Sequence, residues 1–346
     1  MADRARHADL IVIGTGAAGS AGWLQAVKLG KRVTVFERGV LGGECPTFAC
    51  VPSKALLYCA EVFATIQGAR QFGIEPGSVS VDYRRVKARK DAVVARTGAA
   101  QGEKAYRDAG VQLIRQVARF VSPNEVEAAG MRYAADRFLV ATGGSTRIPD
   151  TPGLAQVGFL TFKEAIDLTR LPESLLILGG GPVGCEFTQL FSTFGVPVVI
   201  ADHNEHLLAA EDRELGEEIG RIFGERGVRV LTRTNVISFE RAGVRKRAIV
   251  ERDGRRETIE VDKILVATGK HAVTDCGLES AGVDYDPAKG IAVDATLRTS
   301  NPAIYAAGDC VGPYRLTHAA SYQGKLAVQN AFSDTPQDAD YRAIPR

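Results

Sequence analysis

Two cysteines, Cys45 and Cys50, are separated by four residues within residues 41–57, where the sequence reads LGGECPTFACVPSKALL. Pro52 suits the first turn of a helix, because the N–H that proline lacks has no partner there. Cys50 would then lie at the helix N-terminus, where the helix dipole favours a thiolate, and Lys54 adds positive charge one turn later. The thiolate is the reactive form in thiol–disulfide exchange, so this spacing favours redox chemistry.

This cysteine pair has two simpler interpretations, as buried packing residues or as half of a metal site. A gap of four residues is wider than in the usual zinc knuckle, and no second Cys/His pair completes one. We therefore favour a redox disulfide in which Cys45 supplies the partner sulfur of Cys50, and we predict no metal site.

The first element expected to position this chemistry is a dinucleotide-binding loop near the start of the chain. Residues 9–13 form a short apolar run typical of a buried parallel strand, and residues 21–29 and 31–36 predict a helix and a second strand. The glycine loop GTGAAG follows the first strand, and its predicted cofactor contacts are Gly14, Gly16, Ala17, Ala18 and Gly19. Glu37 ends the second strand, where a carboxylate can accept from ribose hydroxyls. Glycines also mark ordinary turns, and such a carboxylate can simply be solvated.

The second half of the chain repeats this plan. A strand is predicted at 175–178, a helix up to Phe194, and a strand at 197–201 that closes on Asp202. The second glycine loop is GGGPVG, with predicted contacts from Gly179, Gly181, Pro182, Val183 and Gly184. Each half later carries a strand followed by Ala-Thr-Gly, at Ala141, Thr142 and Gly143 and again at Ala267, Thr268 and Gly269. The same ordered set occurring twice predicts an α/β fold with two Rossmann-like domains, and a flavin fed by a nicotinamide.

The redox segment resembles that of a known family. GGECPTFACVPSK, residues 42–54, is similar to the G-G-x-C-x-x-x-x-C-x-P-S-K box of the flavin-dependent pyridine nucleotide–disulfide oxidoreductases, such as dihydrolipoamide dehydrogenase, mercuric reductase and glutathione reductase. The family usually has Asn and Gly where this chain has Thr47 and Ala49. The resemblance implies FAD in the first site, a nicotinamide cofactor in the second, Cys50 facing the flavin, and Cys45 exchanging with substrate.

The resemblance also implies further contacts to the flavin. Those in the redox segment are Gly43, Glu44, Cys45 and Lys54. A predicted strand at 303–306 is followed by Gly308 and Asp309, and in the family this aspartate binds the ribityl chain; a plain turn aspartate is the alternative.

A predicted helix from 317 to 331 begins with Thr317, His318 and Ala319. Its N-terminus can stabilise negative charge on the reduced flavin, so these three residues are predicted to contact the cofactor. His318 itself is interpreted as a packing or polar residue rather than a catalytic base.

Two acidic residues of the second half concern the nicotinamide cofactor. Glu186 lies just inside the second glycine helix, where a carboxylate can simply stabilise the N-terminal turn. In the family, a glutamate here approaches the nicotinamide and pairs with the lysine of the redox helix, which is Lys54. Asp202 is placed to bind both ribose hydroxyls and to repel a 2′-phosphate, which favours NAD(H) over NADP(H). A protonated His203 beside it would offset part of that repulsion.

Composition argues against several classes of partner. The 346 residues include 43 basic and 41 acidic side chains, and the net charge of +2 predicts no general affinity for nucleic acid. No apolar run approaches the length of a membrane span, and the start MADRARHADLIVIGTG is not expected to be a secretion signal. Six cysteines without a secretory context predict a reducing, cytoplasmic location. A charge-rich run at 82–106 is interpreted as a solvated helix face rather than a basic patch.

These observations predict an FAD-binding domain at 1–150 and 280–346, with an NAD(P)-binding domain at 151–279 inserted in it. The resemblance further implies that residues 340–346 lead into a C-terminal dimerisation domain absent from this sequence, and that a full-length form is a homodimer. The implied function is dihydrolipoamide dehydrogenase-like, with electrons passing from NAD(P)H through FAD and the cysteine pair to a small-molecule or lipoyl-type disulfide. The alternatives are a mercuric reductase-like enzyme, a flavin electron-transfer module, and an inactive fragment without disulfide turnover.

Overall fold

The computed structural model describes residues 7–98 and 102–345, which form two compact units. Unit 1 lies within residues 1–47, 96–145 and 270–346, and unit 2 comprises residues 48–95 and 146–269. The helix after the cysteine pair belongs to unit 2, whereas the predicted limits assigned it to the FAD-binding domain. Those domain limits stay a prediction. The N-terminal stretch MADRARHADLIVIGTG is not expected to be a secretion signal, and its first six residues lie outside the described residues.

Strands and helices are numbered in chain order. The strands are β1 His7–Ile13, β2 Val33–Phe36, β3 Gln112–Ile114, β4 Arg119–Ser122, β5 Glu125–Ala128, β6 Met131–Val140, β7 Gly144–Thr146, β8 Leu175–Leu178, β9 Val198–Ala201, β10 Arg229–Leu231, β11 Thr234–Ala242, β12 Arg245–Arg252, β13 Arg255–Val261, β14 Lys263–Val266, β15 Lys270–Ala272, β16 Tyr285–Asp286, β17 Gly290–Ile291 and β18 Ile304–Ala306. The α-helices are α1 Ala17–Lys28, α2 Glu44–Thr47, α3 Cys50–Gly68, α4 Tyr83–Gly98, α5 Glu103–Asp108, α6 Leu154–Val157, α7 Phe162–Ala165, α8 Pro182–Thr193, α9 Arg213–Glu225 and α10 Thr317–Ala331.

Unit 1 is built on a seven-stranded sheet in the order β3-β2-β1-β6-β5-β4, with β18 also paired to β6. The central strand β1 is parallel to both of its neighbours, β2 and β6. Its residues Leu10, Ile11 and Val12 are fully buried, as expected for a parallel strand covered on both faces. Leu10 and Val12 share a core with Trp23 of α1, whereas Ile11 belongs to a second core with Leu278. This doubly covered strand ends at the first glycine loop.

Unit 2 contains a parallel sheet in the order β10-β9-β8-β14 and a separate antiparallel sheet of β11, β12 and β13. All four residues of β8 are buried. Leu175 and Ile177 of β8 share a core with Phe191 of α8 and with Leu56 of α3. Because burying one such aliphatic side chain contributes about 1.5–3 kcal/mol, Leu56 helps to fix the redox helix within this unit.

The structure confirms most of the predicted elements. β1, β2, β6, β8, β9, β14 and β18 lie at the predicted positions, and α10 has the predicted bounds. α1 begins at Ala17 rather than at residue 21, because the end of the glycine loop already forms the first helical turn. The charged run at 82–106 forms α4 and α5, and residues 99–101 between them lie outside the described residues.

Among the described residues, the helical segment Glu44–Phe72, which contains α2 and α3, is long and apolar enough to cross a membrane, judged by length and composition alone. The prediction that no apolar run approaches such a length is therefore wrong. Lys54 and Glu61 interrupt this run, yet its average composition remains apolar. One such helix is weak evidence for a membrane, because core helices of soluble proteins have similar length and composition. The absence of a membrane partner stays a prediction.

Candidate cofactor and redox site

The first glycine loop is shaped by contacts that leave no room for side chains. Gly14 has a φ of 103°, and a Cβ there would lie 2.3 Å from the carbonyl oxygen of Ala141. A Cβ on Gly19 would lie 1.9 Å from the carbonyl oxygen of Gly14. Carbon and oxygen atoms that are not bonded do not approach so closely, so both glycines are required for α1 to pack against β1 and β6.

Gly16 at the N-cap of α1 differs from these two, because a Cβ built on it would meet nothing within 4 Å. Its backbone is extended, with φ −62° and ψ −172°, a conformation that any residue can adopt. The fold itself therefore gives no steric reason for a glycine here. Open space in front of the N–H groups of a helix N-terminus fits a pyrophosphate, so the residues present fit a bound dinucleotide.

The second glycine loop has the same geometry within unit 2. Gly179 has a φ of 104°, and a Cβ there would lie 2.5 Å from the carbonyl oxygen of Ala267. A Cβ on Gly184 would lie 1.9 Å from the carbonyl oxygen of Gly179, whereas one on Gly181 would meet nothing within 4 Å. Pro182 begins α8, where proline is well tolerated. Each unit therefore has its own loop with one open glycine at a helix N-terminus.

A carboxylate connects each glycine loop to the strand that follows it. In unit 1, one oxygen of Glu37 accepts hydrogen bonds from the Thr15 backbone N at 2.9 Å and from Thr15 Oγ1 at 2.6 Å. Its other oxygen accepts from Gly39 N at 2.6 Å. Since each carboxylate oxygen can accept about two hydrogen bonds, the second oxygen retains capacity for a ribose hydroxyl.

In unit 2, Asp202 occupies the equivalent position at the end of β9 and is buried. Its Oδ2 accepts from Gly180 N, and its Oδ1 accepts from both the backbone N and the side-chain Nδ2 of Asn204, each at 2.7 Å. The exposed His203 lies with Nδ1 at 3.7 Å from the same Oδ1. The amide of Asn204, which the sequence analysis did not single out, thus occupies an acceptor position that a ribose hydroxyl would otherwise use.

The two Ala-Thr-Gly segments end strands next to the glycine loops. Ala141 N donates to the carbonyl oxygen of Ile13 at 2.9 Å, and Ala267 N donates to that of Leu178 at 2.8 Å. The hydroxyl of Thr142 donates to a backbone carbonyl at 2.6 Å, as does that of Thr268 in unit 2. Each segment therefore extends the parallel pairing by one residue and brings its backbone beside the loop.

The middle of α10 is linked to the Gly308–Asp309 turn through Gln323, which is 1% exposed. Gly308 N donates to Gln323 Oε1 at 2.8 Å, and Gln323 Nε2 donates to the hydroxyl of Tyr341 at 2.9 Å. His318 Nε2 lies 2.9 Å from the carbonyl oxygen of Pro345. Gln323 was not among the predicted site residues, since it is one of two glutamines in α10 and no local pattern indicates that it contacts Gly308.

The cysteine pair lies where the chain passes from unit 1 to unit 2. Cys45 belongs to α2, and Cys50 is the first residue of α3, which confirms the predicted helix N-terminus and places Pro52 in the first turn. Both cysteines are half-buried. Their pairing as a disulfide stays a prediction. Within unit 2, Lys54 Nζ lies 2.5 Å from Glu186 Oε1, so the predicted lysine–glutamate pair is present.

The predicted site residues divide between the units. Those in unit 1 are Gly14, Gly16, Ala17, Ala18, Gly19, Glu37, Gly43, Glu44, Cys45, Ala141, Thr142, Gly143, Gly308, Asp309, Thr317, His318 and Ala319. Those in unit 2 are Cys50, Lys54, Gly179, Gly181, Pro182, Val183, Gly184, Glu186, Asp202, Ala267, Thr268 and Gly269. In the part of the chain that the structure describes, no group of three or more His, Cys, Asp or Glu side chains is arranged to hold a metal ion.

Three other cysteines, Cys185, Cys276 and Cys310, are buried. Burial raises the pKa of Cys185 and that of Cys276 to about 12, and it also raises the pKa of Cys310. These thiols therefore stay protonated well above neutral pH, in contrast to a cysteine whose thiolate is favoured by a helix N-terminus.

We expect brief treatment of the reduced, native protein with iodoacetamide at pH 8 to alkylate Cys45 and Cys50 and to leave the three buried cysteines unmodified. The thiolate is the nucleophile, and a pKa raised by burial removes it at this pH. Peptide mass spectrometry measures the modification, and denatured protein, alkylated at all six cysteines, is the control. Early alkylation of Cys185 in native protein would contradict its burial.

A family model described as pyridine nucleotide-disulphide oxidoreductase matches residues 8–324. A mercuric reductase of Bacillus cereus is 33% identical over 338 residues, covering 97% of this chain and 54% of the relative. A dihydrolipoyl dehydrogenase of Chlamydia pneumoniae is 35% identical over 343 residues, covering 97% and 72%.

Among solved structures, the Cu(II) complex of the HOCl-induced flavoprotein disulfide reductase RclA from Escherichia coli superposes with a TM-score of 0.83. Its sequence is 24% identical, and the match covers 95% of this chain and 72% of that one. At this identity the similarity concerns the fold. The chain spans between half and two-thirds of the length of the mercuric reductases of Bacillus cereus, Lysinibacillus sphaericus and Staphylococcus aureus that it matches.

Proposed function

Because the chain belongs to the pyridine nucleotide-disulphide oxidoreductase family, we propose that it passes electrons from NAD(P)H through FAD to a Cys45–Cys50 disulfide and on to a disulfide substrate. The balanced reaction converts NAD(P)H, one proton and a disulfide into NAD(P)⁺ and two thiols. The observation that carries this proposal is the pair of glycine loops, each of which has an open glycine and a carboxylate at the end of the following strand. In the same chain, α3 begins at Cys50, the second cysteine of the predicted redox pair.

Membership of this family supports FAD as the flavin cofactor, which supplies two-electron chemistry between a nicotinamide and a disulfide. The N–H groups at the N-terminus of α1 would bind its pyrophosphate and the carboxylate of Glu37 its ribose. The N–H groups at the N-terminus of α8, together with Asp202, would bind the nicotinamide cofactor. The N-terminus of α3 stabilises a Cys50 thiolate. The ammonium of Lys54, held at 2.5 Å by Glu186, adds positive charge one turn into α3 and so favours the same thiolate.

The proposed substrate is a small-molecule or lipoyl-type disulfide, which Cys45 attacks as a thiolate while the leaving sulfur takes a proton. Relatives named dihydrolipoyl dehydrogenase, 35% identical, support this class. Relatives named mercuric reductase, 31–35% identical, support the reduction of a thiol-bound mercuric ion as the second candidate. We also propose a cytoplasmic location and, for a full-length form, a homodimer.

An anaerobic titration of the FAD-loaded protein with NADH tests this function. Each NADH delivers two electrons, so full reduction of one FAD and one disulfide takes two equivalents. We expect two equivalents for the unmodified protein and one for Cys50→Ser. Failure to bind FAD, or full reduction after one equivalent, would contradict the proposal. Lipoamide and mercuric ion supplied separately to the reduced protein then distinguish the two candidate substrates.

Replacing Asp202 with alanine is expected to weaken the use of NADH more than that of NADPH. The carboxylate accepts from ribose hydroxyls and repels a 2′-phosphate, so its loss removes one attraction and one repulsion. We expect kcat/KM for NADH to fall roughly 10-fold or more, since hydrogen bonds to charged groups contribute about 1.5–3 kcal/mol.

The companion variant Asn204→Ala tests the same preference in the opposite direction. It frees the Oδ1 position that the amide occupies at 2.7 Å and is expected to raise the NADH-to-NADPH ratio of kcat/KM. Equal losses for both cofactors in Asp202→Ala would remove the basis for an NAD(H) preference.

A further inference from the structure

A cluster of charged side chains in unit 1 surrounds Lys270, a residue that the sequence analysis did not assign to the site. Lys270 Nζ lies 2.6 Å from Glu44 Oε2 and 3.3 Å from Asp309 Oδ2. About a quarter of the Lys270 and Glu44 side chains is exposed, and Asp309 is more buried. The three groups form one ion-pair cluster rather than separate surface pairs. Glu44 immediately precedes Cys45 in the chain, so the cluster reaches the redox segment.

Backbone contacts place Lys270 in this position. It begins β15, which pairs with β7, and the pairing is extended where Val273 N donates to the Gly143 carbonyl oxygen at 3.0 Å. Gly144 leaves room for the aspartate, because a Cβ there would lie 3.2 Å from Asp309 Cβ. Arg315 Nη1 also donates to the Lys270 carbonyl oxygen at 3.0 Å. Lys270 is therefore held by its backbone on the side from which it can reach both carboxylates.

The charges of this cluster are unequal, with one ammonium between two carboxylates. Burial disfavours the charged form of Lys270, but the two carboxylates outweigh burial and raise its pKa, so the side chain is protonated at neutral pH. Without the ammonium, Glu44 and Asp309 would be two like charges in a partly buried space, and each would lose a charge-assisted hydrogen bond. Their positions would then no longer be fixed relative to each other.

We propose that Lys270 is a positioning residue of the flavin site. Its ammonium holds Asp309 and Glu44, the first residue of α2, in the arrangement that binds FAD. The inference rests on the proposed function, in which Asp309 contacts the flavin and Cys45 follows Glu44 in the redox segment. Lys270 acts through these two carboxylates and needs no contact of its own with the cofactor.

The first test compares the affinity of refolded apoprotein for FAD, measured by quenching of flavin fluorescence. Lys270→Met keeps most of the length of the side chain and removes its charge, and we expect affinity to fall roughly 10- to 100-fold, the loss that follows from removing hydrogen bonds to a charged group. Lys270→Arg keeps the charge and is expected to remain within a few-fold of the unmodified protein. Lys104→Met is the matched control, because it also breaks a lysine–aspartate pair of unit 1, there on an exposed surface.

The second test measures coupling between Lys270 and Glu44. If the lysine acts by holding the carboxylates, Glu44→Gln in the Lys270→Met background should recover part of the lost affinity, because it removes one of the two like charges. The flavin midpoint potential should also fall in Lys270→Met and return in Lys270→Arg, a change that a purely structural role would not produce.

The outcomes distinguish this inference from the proposed function. Unmodified protein that binds no FAD would overturn both. If the unmodified protein binds FAD but Lys270→Met and Lys104→Met have equal FAD affinities, only the role of Lys270 would be overturned. Strictly additive effects of Lys270→Met and Glu44→Gln on FAD affinity would overturn it as well. If Lys270→Met does not fold, as judged by circular dichroism, Lys270→Gln replaces it, and equal FAD affinity of Lys270→Gln and Lys270→Arg would overturn the inference.

Discussion

Replacing Cys45 with serine is expected to lower the steady-state rate of disulfide reduction by roughly 10³-fold or more, the scale of losing a catalytic nucleophile. The reduction of bound FAD by NAD(P)H should continue at its normal rate. An alcohol does not ionise near neutral pH and forms no disulfide, so exchange with the substrate is lost while both cofactor sites remain. Stopped-flow absorbance measures the first half of the reaction, and the release of product thiol measures the second.

A second variant, Cys50→Ser, separates the roles of the two sulfurs. Both variants should fail in overall turnover, but only Cys45→Ser leaves a thiolate at the first residue of α3. A thiolate beside oxidised flavin gives long-wavelength absorbance, which we expect in Cys45→Ser without any reductant and not in Cys50→Ser. Cys59→Ser, on the same helix, is the matched control and should resemble the unmodified protein. Identical spectra for the two variants would show that Cys50 does not face the flavin.

The parts of the site that the sequence predicted correctly depend on residues close together in the chain. In each unit, the apolar run of β1 or β8, the glycines that follow it and the strand-end acid lie within about thirty residues, the size of one βαβ unit. Gly14 and Gly179 both have a positive φ and lie in close contact with the backbone that follows a neighbouring strand, so no other residue type fits at either position. Such glycines can be identified in the sequence from the strand that precedes them. The start of α3 at Cys50 was predictable for the same reason, since Pro52 marks the first turn of a helix.

The parts that the sequence did not reveal depend on contacts between distant segments. Lys270 is 226 residues from Glu44, and no local pattern indicates that the two form an ion pair. Leu56 of α3 shares its core with Ile177 and Phe191, more than a hundred residues further along the chain, which is why the redox helix groups with unit 2. Asn204 is two residues from Asp202 in sequence, but its role depends on a side-chain conformation in which its amide nitrogen donates to Asp202 Oδ1.

Replacing Gly16 with valine is expected to weaken FAD binding roughly 10- to 100-fold, the scale of forcing extra methyl groups into a filled space. A Cβ at Gly16 would meet nothing within 4 Å in the protein itself, and its backbone is extended, so the apoprotein should fold. The expected loss of stability is about 1 kcal/mol, because valine is a poor N-cap. Thermal unfolding of apoprotein and FAD titration measure the two effects separately.

Gly181→Val is the matched variant in unit 2, where a Cβ also meets nothing within 4 Å. It should bind FAD normally and lose its reduction by NAD(P)H, the reverse of the pattern expected for Gly16→Val. Gly19→Ala provides the steric contrast, since its Cβ would lie 1.9 Å from the Gly14 carbonyl oxygen and should prevent correct folding of unit 1 even without cofactor. If Gly16→Val and Gly181→Val impair the same cofactor, the two loops do not bind separate dinucleotides, and the electron path from one site to the other would have to be abandoned.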